Sequence, residues 1–303
     1  MNLGIFINEK TIDIIEGETT GGYTVKVAKA ISVPTPSEAV KDGVVLQPGQ
    51  VASRLRKTLD NHAIKTRNAY VSMYGPSVSF REMFLPKCKP RELDRLVQNE
   101  IMQIINPEQS YSVDYAILNE EQKDTGSYYR VSATTASLEA VQRLKDTMKE
   151  AGLTPVALDV SHNCLMNFMQ HYIIEYDPYI ILDMHDDFEM IVLVDSNTKV
   201  VARNIQIGGK EIEEDEKRQM NLTRKTTQNI SKTMVFLRSQ AGNKSVKTIY
   251  YTKAFEPYKK MVGDIARSFG VKSKMVENPE FVQNENDIDA AQYCCSIGAI
   301  IRN

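Results

Sequence analysis

Near its start the chain shows short apolar runs rather than helical spacing. Leu3 to Ile7, Thr11 to Glu16 and Thr24 to Ile31 are β-branched and bounded by turn formers that include Gly17, Gly21 and Gly22. This predicts a meander of three strands. The pattern then changes period: Val51, Leu55 and Leu59, within Gly49 to Asp60, stand at i, i+4 and i+8 and predict a helix. Asn68 to Met73 reads as another strand, so a sheet is combined with a crossover helix.

From Val78 a strand runs to Leu85, and Pro86 to Pro90 breaks it. The helix that follows carries Leu93, Leu96, Val97, Glu100, Ile101, Ile104 and Ile105, and Asn106-Pro107 stops it. Val113 to Asn119 and Tyr128 to Thr134 are strands joined by the polar turn Lys123-Asp124-Thr125-Gly126. Ser137 can cap a helix that reaches Glu150 and ends at Gly152. Val78 to Pro155 therefore reads as an α+β insertion.

The second half repeats the opening. After a strand at Val156 to Val160 and a Met-rich helix from Ser161 to about Ile173 come three consecutive strands, Tyr179 to Met184, Phe188 to Val194 and Lys199 to Ile207. A strand meander leading into a helix, used twice, points to a duplicated α/β architecture. Gly208-Gly209 opens a polar stretch from Lys210 to Gln240 whose early acidic residues suit a helix N-terminus. A strand at Val246 to Tyr251, a helix at Pro257 to Phe269, a strand at Lys272 to Val276 and a closing helix at Asp289 to Ile301 complete the pattern.

Composition narrows the function classes. Among 303 residues, 37 Lys and Arg balance 39 Asp and Glu, which gives no electrostatic reason to expect nucleic acid as a partner. The N-terminus has no basic leader or small-residue cleavage site, and no window approaches the roughly 20 apolar residues of a membrane helix. Cys88, Cys164, Cys294 and Cys295 lack CxxC spacing and the four histidines are scattered, so a reducing compartment without structural zinc is expected. Neither a GxSxG elbow nor a Walker A, HExxH or GxGxxG sequence occurs.

The order of elements, with the phrases Asp42-Gly43-Val44-Val45, Met83-Phe84-Leu85-Pro86, Ala151-Gly152-Leu153-Thr154-Pro155 and Arg203-Asn204-Ile205-Gln206-Ile207-Gly208-Gly209, resembles the PilM family of type IV pilus assembly proteins along nearly the whole chain. The resemblance implies an actin-like (ribonuclease H-like) duplicated α/β fold with an α+β inserted subdomain like that of the division protein FtsA. On that pattern residues 1–77, 156–175 and 288–303 form the first core unit, 78–155 the insertion and 176–287 the second half. It also implies a place at the inner face of the cytoplasmic membrane. There such proteins grip the N-terminal tail of PilN, a single-span membrane protein that would supply the membrane link, among other platform or secretion ATPase components.

The actin-like nucleotide site needs two Asp-x-Gly hairpin loops, in which glycine lets backbone amides approach phosphate and aspartate positions magnesium or water. The first loop here is Phe6-Ile7-Asn8; the second, Asp183-Met184-His185-Asp186-Asp187, keeps its aspartate but loses the glycine. The adenosine-binding Gly-Gly turn is replaced by Thr252-Lys253-Ala254-Phe255. Three altered contacts predict a scaffold without a catalytic residue, any residual binding of ATP and magnesium being weak and resting on Asp183, Gly208 and Gly209. Asp183, His185 and Asp187 could alternatively hold a metal, against the simpler reading of a solvated acidic turn.

For the partner tail, the resemblance implies a groove between the first core unit and the insertion. Arg81, Phe84, Leu85, Leu96, Val97 and Glu100 are its candidate lining, where an extended peptide gains backbone hydrogen bonds and fills apolar pockets. Leu96 and Val97 equally fit the buried stripe of their own helix. Two other readings stay open, an active pilus ATPase and an FtsA-like filament protein. Against the second, FtsA carries an amphipathic membrane-binding helix after its core, whereas this sequence stops at Ile301-Arg302-Asn303.

Overall fold

Strand β1 (Asn2–Ile7) is buried on both faces, the burial expected of a central strand with cover on each side. It pairs antiparallel with β2 (Thr11–Thr20), which pairs antiparallel with β3 (Thr24–Pro34). On its other side β1 runs parallel to β6 (Asn68–Met73), and β6 parallel to β10 (Thr154–Val160). The same scheme recurs in the second half. There β11 (Tyr179–Met184), β12 (Phe188–Asp195) and β13 (Thr198–Gln206) form the meander, and β14 (Thr248–Tyr251) and β15 (Lys272–Met275) add parallel strands. Two sheets of equal topology, β10-β6-β1-β2-β3 and β13-β12-β11-β14-β15, make the duplication explicit. These observations come from a computed structural model that describes residues 1–21, 23–76, 78–103, 110–185, 188–196, 198–206, 216–241, 244–253, 256–284 and 288–302.

Helices fill the crossovers as the periodicity predicts. α1 (Pro48–Asn61) buries Val51, Leu55 and Leu59 between β3 and β6, and α6 (Glu256–Phe269) buries Tyr258, Met261, Val262 and Ile265 between β14 and β15. The β6 to β10 crossover is the long one. It carries β7 (Ser79–Pro86), α2 (Pro90–Met102), β8 (Tyr111–Lys123) and β9 (Gly126–Ser137), then returns through α3 (Leu138–Glu150). The three strands form their own sheet, β7-β9-β8, with α2 packed on one face through Leu93, Val97 and Ile101 against Met83, Leu85, Val131 and Ala133. Ser137 caps α3 by accepting from the Ala140 amide at 3.4 Å, and Gly152, at φ 77°, ends it in the left-handed region.

Some elements depart from expectation. The closing helix is only α7 (Cys294–Ile300), the Met-rich helix α4 is Ser161–Met169, and β16 (Val282–Asn284) joins the first sheet parallel to β3. A two-residue hairpin, β4 (Val40–Lys41) with β5 (Val44–Val45), had no periodic signal. Strands this short are specified by their pairing partners rather than by their own residues. The polar stretch contains α5 (Glu216–Ala241), whose buried stripe Leu222, Thr226, Ile230, Thr233 and Leu237 hides two threonines. Ile104 to Pro107 lie outside the described residues.

Helices α4 and α7 lie between the two sheets. One apolar cluster runs from Phe6, Ile15 and Val25 of the first sheet through Cys164, Phe168, Cys295 and Ile297 to Tyr179, Ile181 and Phe188 of the second. Close approach there demands glycine: a Cβ at Gly298 would overlap the Cys164 carbonyl, and one at Gly4 the Ser296 carbonyl. Gly298→Ala is therefore expected to lower unfolding free energy by at least about 2 kcal/mol in urea titration, because the clash is with backbone that no rotamer relieves.

Candidate functional site

The end of β1 and the end of β11 meet through their side chains. Phe6, buried at the end of β1, has its ring 5.7 Å from Tyr74, 4.9 Å from His185 and 6.4 Å from Phe188. Tyr74 stacks on Phe188 at 4.1 Å, and Phe188 on His185 at 4.6 Å. Two of these rings belong to each half, so the cluster joins the sheets. Such pairs add about 0.5–1.5 kcal/mol each beyond area burial.

Asn8 turns inward on its own hairpin. Its Oδ1 accepts from the amides of Lys10 at 2.8 Å and Thr11 at 2.7 Å, and its carbonyl accepts from Thr35 Oγ1 at 2.8 Å. An asparagine used in this way stabilises the turn itself. Asp183 is equally occupied: Thr252 Oγ1 donates to Oδ1 at 2.6 Å, while His185 Nε2 lies 2.8 Å and Cys295 Sγ 3.6 Å from Oδ2. Burial opposes ionisation of this carboxyl, yet His185 and the hydrogen bonds hold its pKa at about 2.

These contacts change the metal reading. The donor atoms of Asp183, His185 and Cys295 lie within 4.8 Å of one another, so α7 supplies the third group where the sequence offered Asp187. The thiol of Cys295 is pushed well above its ordinary pKa by its hydrogen bond with Cys294 and by burial, and a thiol must ionise to bind metal strongly. Both oxygens of Asp183 already have donors, so the group is satisfied as a hydrogen-bond network. Asp186, Asp187, Gly208, Gly209 and Ala254 lie outside the described residues.

Beside this junction, between α5 and α6, is a pocket of ≈ 300 Å³ lined by Met184, Met220, Leu222, Thr223, Pro257, Tyr258 and Met261, with Glu216, Lys260 and Asp264 also in its wall. Under it Glu189, 0% exposed on β12, accepts from Tyr258 Oη at 2.8 Å and Thr226 Oγ1 at 2.6 Å. Burial pushes its carboxyl up to about 7 despite those donors. Nothing in the strand pattern singled Glu189 out, since a lone glutamate in an apolar strand carries no periodic signal.

A second cleft, of ≈ 280 Å³, separates the β7-β9-β8 sheet from the body. Ser112, Asp114 and Ala116 of β8 and Ser132, Thr134 and Ala136 of β9 face Leu158, Asp159, Asn163 and Arg302 across it. The six residues expected to line a partner groove are elsewhere. Leu85 (4% exposed) and Val97 (1%) are core of the α2-sheet unit, Leu96 is half-buried against it, and Arg81 and Glu100 are exposed outside the cleft. Phe84, 46% exposed, lies at the β7 edge under the Lys123 ammonium, 3.7 Å from its ring centre. The apolar stripe of α2 serves its own sheet, whose opposite face forms the cleft wall.

The sign of the Glu189 effect is fixed by its raised pKa. Stabilisation by the protonated form is complete below the ordinary 4.5 and is lost as pH rises through about 7. Glu189→Gln is expected to raise stability over the wild type by about 3 kcal/mol at pH 8 and by little at pH 4.5, read from urea unfolding at the two pH values.

Over residues 4–234 the sequence matches the family described as type IV pilus assembly protein PilM. No curated protein matches. Among solved structures, the chain is similar to one described as the PilM-PilN type IV pilus biogenesis complex. The TM-score is 0.83 at 19% identity, covering 100% of this chain and 99% of that one. It is also similar to ethanolamine utilization protein EutJ from Carboxydothermus hydrogenoformans, with a TM-score of 0.51 at 10% identity, covering 100% of this chain and 89% of that one. The fold is thus the actin-like one that the repeated sheet topology indicates. With the family match spanning most of the chain, this protein belongs to the PilM family of type IV pilus assembly proteins.

Proposed function

We propose that the chain is a scaffold at the cytoplasmic face of a type IV pilus assembly platform. It holds the N-terminal tail of a PilN-like membrane protein in the cleft between the β7-β9-β8 sheet and the body. The observation that carries this reading is the cleft itself, in a family member whose fold is similar to that of a PilM solved in complex with PilN. Ser112, Ser132 and Thr134 offer hydroxyls, and Ala116 and Ala136 leave room for an extended chain. Among the described residues no helix is long and apolar enough to cross a membrane, so in this reading the partner provides that link. The β7-β9-β8 sheet then acts as one wall of the binding site.

Binding needs no nucleotide in this proposal. The support is threefold: the rings of Phe6, Tyr74, His185 and Phe188 fill the junction, Asn8 is committed to its turn, and both oxygens of Asp183 are engaged. The pocket between α5 and α6 favours the other reading, weak ATP binding. Calorimetry separates the two: no heat with Mg-ATP up to millimolar concentration is expected, and micromolar binding defeats the nucleotide-independent reading.

For the partner, fluorescence anisotropy of a labelled peptide from the N-terminal tail of a PilN-like protein should give saturable binding. Thr134→Arg, which projects bulk and charge into the cleft, should weaken it at least about tenfold, whereas Leu96→Ala or Glu100→Ala should change it less than about twofold. Equal loss from both sets would move the tail off the cleft.

A further inference from the structure

The inner wall of the cleft belongs to a hydrogen-bonded chain that begins outside it. Lys199, on β13 of the second sheet, is only 8% exposed. Its Nζ donates to Asn163 Oδ1 at 2.5 Å and stands 3.9 Å from the centre of the Phe80 ring on β7. Asn163 Nδ2 donates in turn to Asp159 Oδ1 at 3.0 Å, and Asp159 Oδ2 lies 3.6 Å from Arg302 Nη1. Asn163, Asp159 and Arg302 line the cleft, whereas Lys199 and Phe80 do not. One ammonium therefore touches the second half through its own strand, the body through Asn163, and the three-stranded sheet through Phe80.

We propose that Lys199 is a positioning residue for the cleft: its ammonium staples the β7-β9-β8 sheet to the body and fixes the amide of Asn163, and through it Asp159, in the orientation that a bound tail meets. The inference rests on the cleft reading above.

The chemistry is specific. A primary amide can present its oxygen and nitrogen either way round, and a donor on one side with a carboxylate on the other selects one arrangement. Here Lys199 requires the oxygen and Asp159 the nitrogen. A buried ammonium is costly unless paired, and the Phe80 face and the Asn163 oxygen are its direct partners. The other groups that face it are Asp159 on β10, Glu82 on β7 with its Arg130 partner at 2.7 Å, and His162 and Cys164 on α4. Both carboxylates attract it. His162, whose Nε2 is buried without a partner among the described residues, is held well below its ordinary pKa by burial and so adds no opposing charge near neutrality. Burial lowers the pKa of Lys199 to about 7, and the staple weakens as the ammonium loses its proton above neutral pH.

The test is the anisotropy titration with the tail peptide at pH 6.0, 7.0 and 8.5. Wild-type affinity should fall about five- to tenfold from the lowest to the highest pH. Lys199→Met, checked for folding by circular dichroism, should bind at pH 6.0 as weakly as the wild type does at pH 8.5, with a flat pH profile. A merely structural lysine would shift affinity without flattening the profile. Should Lys199→Met not fold, Asn163→Leu removes the acceptor and must give the same flat profile. A wild-type affinity that varies less than twofold over this range, or a Lys199→Met profile parallel to the wild type, overturns the inference and leaves the cleft reading standing. Absence of wild-type binding at every pH overturns the cleft reading and this inference with it.

Discussion

Everything in this fold depends on how the two sheets are joined. Two separate sheets each bury one face against helices, and the faces they turn toward each other must also be covered. In this protein the cover is α4 and α7, brought close by Gly4 and Gly298, and at the hairpin end the rings of Phe6, Tyr74, His185 and Phe188. The halves therefore share one core. Gln206 Nε2 adds a polar tie across the rim, donating to Asp42 Oδ1 at 2.8 Å.

Polar groups buried in such a core are held in opposite protonation states by their surroundings. Asp183 on β11 and Glu189 on the adjacent, paired strand β12 illustrate this. Asp183 faces His185 and hydroxyl and thiol donors, stays ionised, and contributes stability that is present above its ordinary 3.8 and lost as pH falls through about 2. Glu189 receives two hydroxyl donors and no cation, so burial dominates and its carboxyl titrates near 7. Donor number alone does not decide the outcome; the Coulombic pull of a neighbour such as His185 within hydrogen-bond reach does.

Much of this architecture was legible in the sequence because its signals are local. β-Branched runs specify the two meanders, and the i, i+4, i+8 spacing of Val51, Leu55 and Leu59 specifies α1. The placement of Phe6, Asn8 and His185 at or just beyond strand ends was legible too, since it follows from the strands that carry them. What completes them was not: Tyr74, Phe188, Thr252 and Cys295 arrive from distant elements, and no spacing in one chain announces such a meeting. That the expected groove residues do not line the cleft has a related reason. An amphipathic stripe shows that a helix covers something, and α2 covers its own sheet, so the open surface is the opposite, polar face carrying Ser112, Ser132 and Thr134.

The long β6 to β10 crossover has a mechanical consequence. The β7-β9-β8 sheet and α2 are reached from the body by only two covalent crossings, the segment around Gly75 after β6 and the junction of β9 with α3 at Ser137. Two attachment points define an axis. Rotation about that axis would widen or narrow the gap while leaving both large sheets untouched. Close to that axis, where Phe80 pairs with Thr134 a few residues before Ser137, β13 touches β7 and Phe80 rests on Lys199, so the brace sits at the attachment itself.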